Sequence, residues 1–296
     1  MQLFDALITP ILSYGSEIWF PFINKSKEIT EFFKTCLSSE YPHENVHIKF
    51  CRFILGVHKK SMWLPVLAEL GRFPLGLKMV SQVIGFWFHI LECKKDSYIQ
   101  IVYNDMLKQD DQKEDKIPWI NFIKTMFYQL GFNHIWQNQF TFNIQKLKHA
   151  IQQKLQEQYV IFWKKYKAED SSRLQFYNTV SKTYDIQPYL THNMDFKYRQ
   201  ALAKIRISAH NLKIETGRYI GIERKDRICS HCKVIEDEWH FLDHCVKFHN
   251  ERSTFLQSIY STNPSWIQLF PSDFFLQQEA QTHLGKYVFQ CFAKYN

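Results

Sequence analysis

The sequence predicts a mainly α fold that ends in a small Cys/His module. Apolar residues recur at three- and four-residue spacing along most of the chain, with no run of period-two alternation longer than a few residues. Nine glycines and nine prolines among 296 residues are too few for a turn-rich all-β chain. Three of the seven cysteines, Cys229, Cys232 and Cys245, crowd into one short window together with several histidines.

The elements follow in chain order. Leu3, Phe4, Leu7, Ile8, Ile11 and Leu12 lie at helical spacing, and Pro10 should kink that run or begin a new helix. Val46, Phe50, Phe53, Ile54 and Val57 form the next apolar stripe, with Lys49, Arg52, Lys59 and Lys60 off it and Cys51 expected as a buried thiol. Pro74 suits the first position of a helix reaching about Cys93. Residues 94–116 are polar, and the acidic run from Asp110 to Asp115 reads as a solvated surface loop at a domain boundary. Pro118 opens a further helix that Gly131 closes. Residues 143–167 suit one long helix, residues 195–213 another, and Gly285–Tyr295 a last one. This predicts five consecutive segments: helical 1–93, polar linker 94–116, helical 117–226 with a basic helix, metal module 227–250, and helical tail 251–296.

Composition narrows the function classes. Apolar residues at 45% and charged residues at 22% exclude a disordered chain. The longest greasy stretch, Val83 to Leu91, falls well short of the roughly 20 residues a span requires, so no membrane association is expected. The first 22 residues lack a leading basic residue and do not resemble a signal peptide. An odd, unevenly spread cysteine set points to a reducing, intracellular compartment, nuclear or cytoplasmic.

The cluster reads Cys229-Ser-His-Cys232, then His240 and Cys245. A Cys-x2-Cys turn supplies two thiolates from one knuckle, and a tetrahedral zinc ion needs two further ligands. His240 and either Cys245 or His244 complete the set. On an ideal helix His244 lies about 40° from His240, whereas Cys245 lies about 140° away. Cys245 therefore serves best where the helix ends, and a third thiolate favours it; His231 and His249 are further imidazoles nearby. Four protein ligands leave no open position for water, so one structural zinc ion per chain is expected rather than a catalytic one.

The chain is basic, with a formal net charge of +8, and the excess concentrates before the cluster. Between residues 197 and 227 stand nine cations and three anions. On one ideal helix Arg199, Arg206, His210 and Lys213 fall within about 60° of one another, opposite Ala201, Leu202, Ile205 and Leu212. Arg218, Arg224, Lys225 and Arg227 continue toward the cluster, where Trp239 supplies a flat ring. Cations for phosphates with rings for bases is the composition that binds RNA or DNA, so these nine residues are the candidate contacts. The alternative is a zinc-stapled helical module that docks protein partners without nucleic acid.

No catalytic residue is identified. The motifs of phosphate loops, serine hydrolases and zinc proteases are absent, and no small-molecule substrate is expected. Glu236, Asp237 and Glu238 read as acids in the first turn of the helix that carries the metal ligands.

Several segments together resemble the C-terminal part of a non-LTR, LINE-type retrotransposon reverse transcriptase. They are Leu3 to Trp19, Lys49 to Val57, Leu67 to Arg72 with Pro74, Leu202 to Leu212, Glu215 to Arg218, and Cys229 to Cys245 with its Glu236-Asp-Glu-x-His-Phe-Leu core. The resemblance implies a helical thumb over about residues 1–93, a helical connector, and a CCHC zinc knuckle that holds template RNA or target DNA. It also implies a parent RNA-directed DNA polymerase. The Tyr-x-Asp-Asp-type palm motif of that family has no counterpart in this sequence, so no catalytic residue carries over.

Overall fold

The computed structural model describes every residue except 25, 113–115, 140–143, 170–172 and 296. The protein is mostly helical. Among the described residues the only β pairing is two isolated bridges, Leu70 with Ile186 and Ile228 with Ile235. The chain folds as two units, Met1–His47 with Phe73–Lys164, and Ile48–Arg72 with Lys165–Asn296. Both units are discontinuous, unlike the five consecutive segments expected from composition. Among the described residues no helix is long and apolar enough to cross a membrane.

The first unit is built around the helix Leu75–Glu92, which Pro74 precedes in extended conformation and Cys93 terminates. The helices Ser16–Ile23 and Pro118–Leu130 complete its core. Phe20 lies at the centre, with the rings of Phe32, Tyr41, His43 and Phe122 within 6.2 Å. Trp87 donates its indole N–H to Tyr103 Oη at 2.9 Å. Gly131, at φ 80°, closes Pro118–Leu130 in the left-handed conformation that a side chain resists. Pro10 is the second residue of a short helix, Thr9–Leu12.

Residues 94–116 are not a linker. They contain the helix Tyr98–Gln112, and Asp110, expected as solvated charge, is 1% exposed. Its carboxylate accepts from Lys124 Nζ and from the Ile117 N–H, both at 2.8 Å. The remainder of the acidic run, residues 113–115, lies outside the described residues. Burial alone would raise the Asp110 pKa, but these donors hold it below the usual aspartate value. Its contribution is therefore present above the unfolded aspartate range and is lost as pH falls through the depressed native pKa. Asp110→Asn should cost about 1.5–3 kcal/mol at neutral pH, the worth of hydrogen bonds to a charged group, and should flatten the acid limb of a urea-midpoint against pH profile. An unchanged acid limb would show that the pairing contributes nothing.

The helix Pro42–Leu55 corrects the second apolar stripe. Its buried positions are His43, Glu44, His47, Ile48, Cys51 and Leu55, whereas Phe53 is 78% exposed and Val46 is also exposed. Glu44 survives inside because it accepts the Gly76 N–H at 2.7 Å.

The second unit is organised by Phe196–Arg206 packing on Gln281–Tyr295. Gly285 permits the close approach, since a Cβ there would meet the Tyr198 backbone oxygen at 3.3 Å and its Cβ at 3.1 Å. The expected single helix over 195–213 is two helices, Phe196–Arg206 and Lys213–Tyr219. The break is a Schellman turn: Ala209 N–H donates to Lys204 O, Ser208 N–H donates to Ile205 O, and Ser208 sits at φ 53°. The basic stripe that one continuous helix would have made therefore does not exist.

Candidate metal centre

Cys229, Cys232, His240 and Cys245 place one ligand atom each within 4.8 Å of one another, a set that can hold a metal ion. Two local devices achieve this. The first is the knuckle. Ile228 bridges Ile235, Cys229 N–H donates to Val234 O, and Lys233 N–H donates back to Cys229 O. Lys233 takes φ 59° to close the turn, and Val246 N–H donates to Cys232 Sγ at 3.5 Å.

The second is the turn carrying the other pair. Over His240–His244 the helix widens, and Cys245 N–H donates to His240 O, five residues back, at 2.7 Å. A wider turn brings residues five apart onto one side, which an ideal α-helix does not do. Cys245 itself is extended and ends the turn. Cys245 thus belongs to the set and His244 does not: His244 is exposed, with its ring 5.7 Å from that of Phe270.

The geometry fits a tetrahedral ion. Cys245 Sγ lies 3.9 Å from both Cys229 Sγ and Cys232 Sγ. Metal–sulfur bonds of about 2.3 Å at the tetrahedral angle give an edge of about 3.8 Å. His240 Nε2 is buried without a hydrogen-bond partner, as a ligand nitrogen would be. Burial, with Cys229 alongside, pushes the Cys245 thiol up to about 12, and burial holds the His240 imidazole below its usual value. A thiol raised in this way does not ionise readily by itself; a divalent cation beside Cys245 would reverse that balance.

The acidic trio holds this site together. Glu236 Oε2 accepts the Lys213 N–H at the start of Lys213–Tyr219 and also the Tyr295 hydroxyl. Asp237 Oδ1 accepts the His240 N–H from just before the helical residues, so it caps the turn from outside where the sequence predicts a place inside its first turn. Glu238 Oε1 accepts from Ser208 Oγ at 2.7 Å and from His210 Nε2 at 3.1 Å. Arg252, which sequence reasoning passed over, donates to the carbonyls of Leu242 and Cys245. Its only signal was a cation one turn into the next helix, a pattern shared by many surface arginines.

The nine candidate nucleic-acid residues fare differently. Arg206 is 1% exposed, and its guanidinium meets Glu69 twice, at 2.8 and 3.0 Å, and Gln187 Oε1 at 2.7 Å. His210 is buried on Glu238, with its Nδ1 accepting the Leu212 N–H. Neither can reach a phosphate, because folding spent both on internal partners. Arg227 donates to the carbonyls of Ile214 and Ile222, and Lys213 Nζ to that of Ile228. Arg218 pairs with Glu215, Lys225 with Glu223, and Arg224 lies 3.8 Å from Asp237. Arg199 is half-buried, and Trp239 is half-buried with its ring edge-on to Phe176. The basic run is largely the internal framework of the module.

Comparison with protein-family models, with curated proteins and with solved structures returned no match.

Proposed function

We infer that the chain is a nucleic-acid-binding protein whose second unit is organised by one structural zinc ion. We assign it to the type of the post-palm region of non-LTR retrotransposon reverse transcriptases. One observation carries the reading: the Cys-x2-Cys, His and Cys quoted for the resemblance bring four soft ligand atoms within 4.8 Å of one another. Three sulfurs and an imidazole select zinc over hard cations, and four protein ligands make the ion a staple. The net charge of +8 favours a polyanionic partner, RNA or DNA. No reaction is assigned to the chain.

Purified, reduced protein should contain about one zinc per chain and bind single-stranded RNA or DNA. With four phosphate contacts, affinity should fall about 50-fold between 50 and 200 mM salt. A metal-free protein, or binding indifferent to salt, would overturn the reading. The protein-docking alternative draws on a different feature. Leu3, Leu7, Ile11, Tyr14, Ile18 and Phe22 are all exposed at helical spacing, an apolar stripe of the kind that meets a partner surface. Salt-indifferent or absent nucleic-acid binding in a zinc-loaded protein would favour it.

A further inference from the structure

We propose that a groove beside the Schellman turn of the second unit, and not the basic run read from the sequence, is where a single nucleic-acid strand lies. The proposal deepens the nucleic-acid reading above and rests on it. Two hollows, of about 250 and 410 Å³, share the wall made by His58, Ala209, His210 and Asn211. Lys60 and Arg173 line the first, and Lys204 lines the second. Among the described residues no carboxylate lines either hollow, and none of these three cations stands in an ion pair. That sets them apart from Arg206, Arg218, Lys225 and Arg227, whose charges are matched or whose donors are committed inside the fold.

Flat rings accompany the charge. Tyr219, 59% exposed, borders the first hollow, and Tyr295 borders the second. Unmatched cations beside one exposed ring, Tyr219, suit a strand whose phosphates follow the lysines and arginine while a base stacks there; Tyr295 is half-buried, with Lys247 Nζ 5.2 Å from its ring centre. The neutral donors and acceptors of the exposed Asn211 are available to a base or ribose. A duplex cannot offer its base faces to such a ring, so the chemistry selected is a single strand of either sugar.

The test is fluorescence anisotropy with labelled 15-nucleotide oligo(U) and oligo(dT), each measured across a salt series. The triple variant Lys60→Glu, Arg173→Glu, Lys204→Glu should bind at least tenfold more weakly at 100 mM salt. Its salt slope should be shallower by about 2, for three lost single-strand contacts. Lys225→Glu, outside the groove, should bind as the unaltered protein does. Tyr219→Leu should lose about tenfold on the strand the protein binds. Unchanged zinc content certifies that each variant is folded. If the unaltered protein binds with steep salt dependence and the triple variant matches it, the groove is wrong while the nucleic-acid reading stands. If the unaltered protein binds neither strand, both fall. Loss in Lys225→Glu equal to that of the triple variant would return the site to the basic run and overturn the proposal.

Discussion

Stripping the metal with a strong chelator should unfold residues 227–248 and loosen the helices docked on them. Structural zinc sites contribute apparent binding energies on the order of 10 kcal/mol or more, well above what a segment this short recovers from its own packing. The local apolar contacts are real but few: Phe241 lies 4.8 Å from Phe248 and 5.2 Å from Phe292. Without the ion, three thiols and a desolvated imidazole remain crowded together, and the wide turn from His240 to Cys245 loses the bond that holds its ends on one side. Hydrogen exchange should show protection collapsing first at Cys229, Lys233 and Cys245, whose amides bond within the knuckle and turn. Cys229→Ser and Cys245→Ser should reproduce the collapse and lower bound zinc. His244→Ala should keep full zinc, and so should Cys36→Ser in the other unit. Retained protection in the chelated protein, or zinc lost from Cys36→Ser, would overturn this ligand set.

The pair His240 and Cys245 shows how far sequence reading reaches. The ligand types and the CxxC knuckle are legible, because a metal constrains spacing more tightly than packing does. The angle between the second pair is not, since an ideal helix puts those residues about 140° apart and nothing in the sequence announces a wide turn. The same limit governs the basic stripe. A Schellman turn is ordinarily marked by Gly or Asn, and here a serine takes the left-handed position, so the helix looks continuous from 195 to 213. Pro118 and Gly131, by contrast, bound their helix where their backbone chemistry demands. Burial of Asp110 and exposure of Phe53 are set by what packs against their helices, for Asp110 the Ile117 N–H and Lys124 beyond the end of its own helix, and periodicity within one helix cannot supply that. The discontinuous second unit is hidden for the same reason: residues 48–72 join a body whose remaining residues begin at 165.

Removing Glu69 should be among the most damaging single substitutions in the second unit. Its carboxylate is 0% exposed and accepts from Arg206 Nε and Nη2 and from the Tyr189 hydroxyl at 2.8 Å, while Arg206 lies 5.5 Å from the Tyr189 ring. Burial opposes the charge on Arg206, and Glu69 more than offsets it, holding the guanidinium above the usual arginine pKa. Glu69→Ala leaves that cation desolvated with Gln187 as its one remaining side-chain acceptor, which should cost about 3–5 kcal/mol. A pair breaks more expensively than it is replaced. Glu69→Gln with Arg206→Met should therefore recover much of the loss, because an apolar chain of similar length can fill the space between Tyr189 and Phe275. Urea unfolding of the three proteins checks this, and a Glu69→Ala cost below about 1 kcal/mol would mean that water reaches the pair. The same energetics decide how Arg206→Ala must be interpreted. It strands a buried carboxylate, so weakened nucleic-acid binding in that variant would report an unfolded module and not a lost phosphate contact, whereas Lys204→Glu, two residues earlier and about half a helical turn away on a side chain in no ion pair, separates the two.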